Sequence, residues 1–349
     1  MTREEIMLRQ MAGQHLLKKT DKKIVLHDLL GVQAQITVNA YHALKIRCHD
    51  LTEEIFGAGL VKNWTLRGTV HIFAEEDLPL FVRCRDGREY LCKDFCGYTF
   101  WNQRDVWSLT PERQRFLTDV ILEALSDGAK TRDELKEICR AHGMTALEEG
   151  SMFDSWGGGI REMCERGFIN HVVQEKKAFC LAPPYTPMRE EEAKLAIARR
   201  YFTHFGPATI HDAMYFLRAK PSEVKAWLAV LPVQSVECAG KTYFYIENGE
   251  PPTADIPACL FLAGFDQLML GYQKKESLYL PPEHLRGIFN LAGIVMPAVL
   301  LRGRVVGRWK KKGARLSATL FEPLSADDRT IISDAAEVIF SDLRELFFE

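Results

Sequence analysis

The 349-residue chain has almost no excess of either charge: its formal net charge is −2. No global basic field marks a nucleic-acid binder, so any such binding has to come from a local basic surface. It also lacks a Cys-x-x-Cys pair. The nine cysteines are odd in number, and the closest two, Cys92 and Cys96, do not match zinc spacing. In a chain this long the pattern argues against a disulfide framework and predicts reduced, mostly buried thiols and no metal centre. There is no Walker motif, Gly-x-Gly-x-x-Gly fingerprint, nucleophile elbow or His-Glu-x-x-His, which argues against a nucleotide-dependent enzyme, a serine hydrolase and a zinc protease. Met1 to Leu17 carries Arg3, Glu4, Glu5 and Arg9 where a signal peptide needs an uncharged apolar core. The longest apolar stretch, Gly287 to Leu301, falls short of the roughly 20 residues of a membrane span and is predicted to be buried core. Together these absences predict a cytoplasmic protein with no membrane contact and no cofactor.

What is present is a repeated unit of helices followed by a β-hairpin. In the middle copy Thr110 and Pro111 offer a cap and a first-turn proline, and Leu117, Val120, Ile121, Ala124 and Leu125 follow at helical spacing. Thr131 and Glu134 form a capping-box pattern. A third helix is predicted from Ile160 to Arg166, with Gly157 to Gly159 breaking any earlier start, and a hairpin then turns at Gln174–Lys177. In the next copy Ala193, Ile197, Tyr201 and Phe205 make a stripe that Gly206 and Pro207 end. Thr209 caps a second helix, Pro221 opens a third, and a hairpin turns near Gly240. The first copy has a stripe at Leu8, Ala12 and Leu16, short helices at Ile24–Leu30 and Tyr41–Arg47, and an alternating strand from Thr65 to Phe73.

Helices plus a two-stranded wing make the winged form of helix-turn-helix, so the predicted fold is α+β with three tandem winged-helix units and a small C-terminal β-rich domain. The expected boundaries are 1–90, 110–185 and 189–248 for the winged helices, 91–109 for an aromatic-rich connector, and 255–349 for the β-rich domain. The last contains predicted strands such as Met269–Tyr272 and closes with a helix from Ala326 to Phe347.

Three groups of residues carry candidate chemistry. Arg302, Arg304, Arg308, Lys310, Lys311 and Lys312 lie close together with no acidic residue between them, on and just after a predicted hairpin. Such a run is either a solvated face or a hairpin that tracks phosphates. Gln33-Ala34-Gln35 follows Gly31. Residues two apart share a face only in an extended segment, where the two amides would point one way. Arg67, Thr69 and His71 would share one face of a strand and line a polar site or bind phosphate, and Asp266 is a lone carboxylate in apolar surroundings.

Several stretches, taken in order, resemble the winged-helix DNA glycosylases of the AlkZ and YcaQ type, which unhook interstrand crosslinks and excise N7-alkylated purines. They are Gln33-Ala34-Gln35, Leu66 to His71, Arg200 to Phe202 with Phe205 to Thr209, Phe265 to Gly271, and Val299 to Trp309. The resemblance implies three winged helices around a concave DNA channel, with Gln33 and Gln35 as the catalytic pair. The Gln-x-Gln form is similar to the AlkZ branch, whereas the YcaQ branch carries Gln-x-Asp. On this reading the chain is a metal-independent, monofunctional glycosylase acting as a monomer on duplex DNA. The rival readings are a non-enzymatic winged-helix transcription regulator and a protein-binding adaptor.

Overall fold

The computed structural model describes residues 1–49, 59–65, 67–82, 107–155, 157–174, 177–249 and 252–349. Leu66 and most of the 91–109 connector, including Phe95, Tyr98, Phe100 and Trp101, lie outside the described residues. The chain divides into two units, Met1–Ile55 together with Ile197–Glu349, and Phe56–Ala196. The fold is mixed α+β.

In the first unit, Thr2 and Glu5 form a capping box on helix Arg3–Gly13, and Asp21 caps helix Lys22–Asp28. Thr37–Lys45 is the third helix, starting earlier than the apolar spacing predicts. Helix Glu190–His204 buries Tyr201 and Phe202, and Phe205 is buried just after its end. Thr209 caps helix Ile210–Leu217 in a capping box with Asp212, and Pro221 opens helix Pro221–Val230. The hairpin Gln234–Cys238 with Lys241–Tyr245 then turns through Ala239 and Gly240, both at positive φ, as a tight right-twisted hairpin requires.

Buried amides tie these helices together. Gln10 donates to Pro207 O and accepts from Tyr279 Oη, while Gln14 donates to Tyr272 Oη.

The unit ends in a five-stranded sheet ordered Glu345–Phe348, Arg315–Leu320, Arg304–Lys312, Ala298–Leu301 and Cys259–Leu262. Helix Ala326–Ile339 covers one face, burying Ile332 and Ala336 against Phe261, Val299, Val306 and Leu316. This helix stops well before Phe347, the predicted end. The alternating Glu345–Phe348 segment instead adds a parallel edge strand beside Arg315–Leu320, where its half-buried apolar residues find cross-strand partners that a helix end would not provide.

Met269–Tyr272 is likewise not a strand. Asp266 accepts from Leu268 N at 2.9 Å and starts the short helix Gln267–Leu270. All four of its residues are buried, so no periodicity distinguishes helix from strand there. The Gly287–Leu301 stretch is not uniformly core either. Phe289 bridges Val295, Gly293 turns at φ 80°, and Leu291 at the tip is 88% exposed.

In the second unit the strand order is Val70–Ala74, Leu60–Trp64, Ile169–His171, Ala178–Leu181 and Lys130–Thr131. Helices Pro111–Ser126, Arg132–Ala141, Ala146–Met152 and Gly158–Glu165 pack around Leu117, Ile121, Leu135 and Ile160. The caps at Thr110 and Thr131 form as their sequences require. The glycine run does more than delay a helix. Gly158 and Gly159 lie in the first turn of Gly158–Glu165, where a Cβ would strike Ser151 O and Met152 Sδ respectively. The missing side chains let that turn pack onto the end of the preceding helix. No helix among the described residues is long and apolar enough to cross a membrane.

Candidate active site

Helix Lys22–Asp28 ends in a Schellman arrangement: Gly31 N bonds to Leu26 O at 2.7 Å and Leu30 N to His27 O at 3.1 Å. The left-handed residue that this closure needs is Leu30, at φ 57°, with Gly31 following at φ 81°. A leucine in that conformation costs roughly 1–2 kcal/mol, which its burial at 3% exposure helps to offset. The turn throws Val32–Gln33 into a short strand. Gln33 closes that strand and Gln35 lies in the bend after it, where the two amides meet, with Gln33 Nε2 donating to Gln35 Oε1 at 2.8 Å. Their environments differ: Gln33 is buried, at 5% exposure, while Gln35 is exposed. Gln33 thus fixes the rotamer of an amide that faces outward.

Two layers hold this segment. Gln267 Nε2 donates to Gly31 O at 2.5 Å, pinning the turn that launches the pair. Behind it, Asp266 makes a two-pronged pair with Arg47, at 2.7 Å to Nη2 and 2.9 Å to Nη1, and both side chains are fully buried. Arg47 also donates to Gln14 O and Ala43 O. Asp266, expected to line the site, is therefore an internal clamp: a carboxylate with no exposure cannot touch DNA.

Arg67, Thr69 and His71 do not share a strand face. Arg67 and Thr69 lie in a turn, with Gly68 N bonded to Thr65 O, Thr65 N to Thr69 O, and Gly68 at φ 69°. Only His71 lies in a strand. It is buried, its Nδ1 lies 2.9 Å from Thr65 Oγ1 and 3.0 Å from Thr69 O, and burial pushes its pKa down to about 4. A neutral, internally bonded imidazole is an architectural group and not a phosphate ligand.

The basic run divides in two. Arg302 pairs with Asp328 at 2.6 Å, Arg304 with Glu322 and Glu283, and Lys311 with Asp342 at 2.6 Å. Arg308, Lys310 and Lys312 have no carboxylate partner among the described residues, and all three are exposed. They alternate along strand Arg304–Lys312, so the pleat places them on one face. Across the register stand Thr319, Ser317 and Arg315. The opposite face turns Trp309 inward, where its Nε1 donates to Leu262 O and its ring packs on Phe340 and His42.

The description "DNA glycosylase AlkZ-like" matches residues 26–339, which includes the glutamine segment, the Asp266 clamp and the basic strand. The chain belongs to the AlkZ-like DNA glycosylase family. It is 26% identical over 320 residues to the interstrand DNA cross-link repair glycosylase of Streptomyces sahachiroi, covering 85% of this chain and 84% of that protein. The solved structure of Streptomyces sahachiroi DNA glycosylase AlkZ superposes with a TM-score of 0.80 at 23% identity, over 100% of this chain and 99% of that one. At that identity the likeness speaks for the fold.

In this AlkZ-like glycosylase, Arg308, Lys310 and Lys312 are the cations of the basic run without a carboxylate partner among the described residues. Replacing all three by Ala is expected to weaken duplex binding and to lower the slope of log K against log salt by about 0.9 for each phosphate that is no longer neutralised. Replacing Arg302, Arg304 and Lys311, which already have carboxylate partners, should change the slope less. Equal slopes in the two triple variants, measured by fluorescence anisotropy across a salt series, would rule out the division of the run. Arg47 and Gln267 are positioning residues that the sequence alone does not single out. Their only local signal is polarity within apolar stretches, Leu44 to Cys48 and Phe265 to Leu270.

Proposed function

We propose that this chain hydrolyses the N-glycosidic bond of N7-alkylated purines in duplex DNA, crosslinked ones included, through Gln33 and Gln35. The observation that carries this reading is the 2.8 Å bond by which the buried Gln33 amide orients the exposed Gln35 amide. Alkylation at N7 makes the base cationic and already a good leaving group, so the base need not be protonated. What remains is to place a water and to face the positive charge that develops on the sugar. A held amide carbonyl does both at little reorganisation cost, while being too weak a base to attack an undamaged nucleotide.

The scaffold on this reading is three winged helices, 1–90, 110–185 and 189–248, joined to a β-rich domain at 255–349. In support, helices Glu190–His204, Ile210–Leu217 and Pro221–Val230 lead into a two-stranded wing, and the helices from Pro111 to Glu165 lead into the pair Ile169–His171 and Ala178–Leu181. The exposed apolar tip at Leu291 also suits a duplex-handling protein. Phe265 N bonds to Val295 O at the root of that hairpin, and Gly264 beside it packs on Asn39 in the first turn after Gln35. The root of the hairpin that carries Leu291 thus lies beside the helix that follows Gln35, and an exposed apolar tip of this kind can act as a wedge that parts base steps.

The test is incubation with a duplex carrying one N7-methylguanine in the presence of EDTA, followed by mild base to reveal abasic sites. Excision is expected, and chelation should leave the single-turnover rate unchanged. A duplex that binds but yields no abasic product would favour the transcription-regulator reading. A rate abolished by EDTA and restored by a divalent ion would overturn the metal-free chemistry.

A further inference from the structure

Three histidines surround Asp28 at the C-terminal end of the helix that leads into the glutamine segment. His15 Nε2 lies 2.8 Å from Asp28 Oδ2, His27 Nδ1 2.8 Å from Oδ1, and His204 Nε2 3.3 Å from Oδ1. The ligand atoms of His15, Asp28 and His204 all fall within 4.8 Å of one another. None of this grouping is local in sequence. His15 sits just beyond helix Arg3–Gly13 in the left-handed conformation, at φ 57°, and His204 is the last residue of helix Glu190–His204. The two helix ends approach closely because residue 13 is glycine: a Cβ there would strike His204 O.

From this grouping we infer a binding site for one divalent transition-metal ion of the zinc type, held by His15, Asp28 and His204. Two imidazoles and a carboxylate form a borderline donor set that suits zinc. Ligands each about 2.0–2.1 Å from a tetrahedral ion stand roughly 3.3 Å apart, which is the present spacing between His204 and Asp28. His15 has to shift modestly, and it is the least buried of the three, with 17% of its side chain exposed. A water would complete the four-coordinate set.

The two tautomers of His204 bear on the same grouping. It is nine-tenths buried, and its Nδ1 has no hydrogen-bond partner. A neutral imidazole carries one proton and one lone pair. If the proton is on Nε2, facing Asp28, the buried Nδ1 lone pair is left unmet. If it is on Nδ1, two acceptors face each other across 3.3 Å and a buried donor is unmet. A cation between Nε2 and the carboxylate removes the acceptor–acceptor conflict, because both groups then direct lone pairs at it, while the Nδ1 proton stays unpaired in either case. The ion is not placed in the reaction. It would fix the junction of three helix ends, five residues before Gln33, and the hydrogen bonds to Asp28 hold that junction together when no ion is bound. The inference is thus independent of the glycosylase reading.

The experiment uses the full chain, stripped with chelator and titrated with Co²⁺ and Zn²⁺. One equivalent of Co²⁺ should give the visible absorption of a four-coordinate N/O site without thiolate charge transfer, and Zn²⁺ should raise the melting temperature. Asp28→Asn keeps the shape of the side chain and His15→Ala alters a part-exposed one. Both should lose the Co²⁺ band and the Zn²⁺ shift while keeping the circular dichroism of the parent. Absence of any stoichiometric uptake by the parent would mean that the cluster is a hydrogen-bond network only. A band that survives both substitutions, or one with thiolate character, would place the ion elsewhere and overturn the assignment. The readouts are spectroscopic and thermal, so glycosylase activity can fail or succeed separately.

Discussion

Replacing Gln35 by Ala should slow excision of N7-methylguanine by roughly 10²- to 10³-fold under single-turnover conditions, the scale seen when one positioned polar group is removed from a transition state. Duplex affinity should change little, because phosphate contacts supply most of it. Stability should hold as well, since Gln35 is exposed. Gln33→Ala should cause a comparable loss of rate by a different route. The buried Gln33 donates to Gln35 Oε1, so its removal frees Gln35 to sample other rotamers. It also gives up a buried hydrogen bond worth about 1 kcal/mol. The two effects overlap on one group, so the double variant should lose much less than the product of the single losses. Gln35→Asp should keep more activity than Gln35→Ala, because a carboxylate oxygen still accepts the Gln33 amide hydrogen. Wild-type rates in both Ala variants would remove the pair from the chemistry.

The difference between these two glutamines marks how far the sequence could be read. One feature was legible because it depends on nearest neighbours: the turn at Gly31, which ends the helix and starts the short strand that carries Gln33. The caps at Thr110, Thr131 and Thr209 were legible for the same reason, since each capping hydroxyl and its partner lie within three residues. The burial of Gln33 was not legible, because it depends on what packs over it.

The basic run shows the same limit. Its cations are consecutive, but the carboxylates that pair with Arg302, Arg304 and Lys311 come from Glu283, Glu322, Asp328 and Asp342. Only the folded chain shows that Arg308, Lys310 and Lys312 have no carboxylate partner among the described residues. Leu291 sits in a run apolar enough to suggest core, and a two-stranded turn carries it into solvent. His15, Asp28 and His204 meet only when helix ends far apart in the chain come together.

Asp266 and Arg47 lie 219 residues apart, and breaking their pair is expected to have the largest effect on stability. Both are wholly buried. Arg47→Met leaves a carboxylate in the interior without its cation, and such a change costs about 3–5 kcal/mol, mostly as the penalty of an uncompensated buried charge. Asp266→Leu should cost a similar amount. It leaves the guanidinium with only the carbonyls of Gln14 and Ala43 and also removes the cap on helix Gln267–Leu270. The double variant, Arg47→Met with Asp266→Leu, should recover much of the loss, since a buried ion pair replaced by apolar groups of similar volume is often close to neutral.

Catalysis should not recover in parallel. Without the Asp266 cap the short helix no longer fixes Gln267, whose amide holds Gly31 O and through it the turn that sets the glutamine pair. The double variant is therefore expected to melt near the parent temperature while excising N7-methylguanine more slowly, with duplex affinity retained. Chemical denaturation and single-turnover rates on the same preparations separate the two effects. If both rate and stability return together, the clamp serves the fold alone and Gln267 holds its place without it.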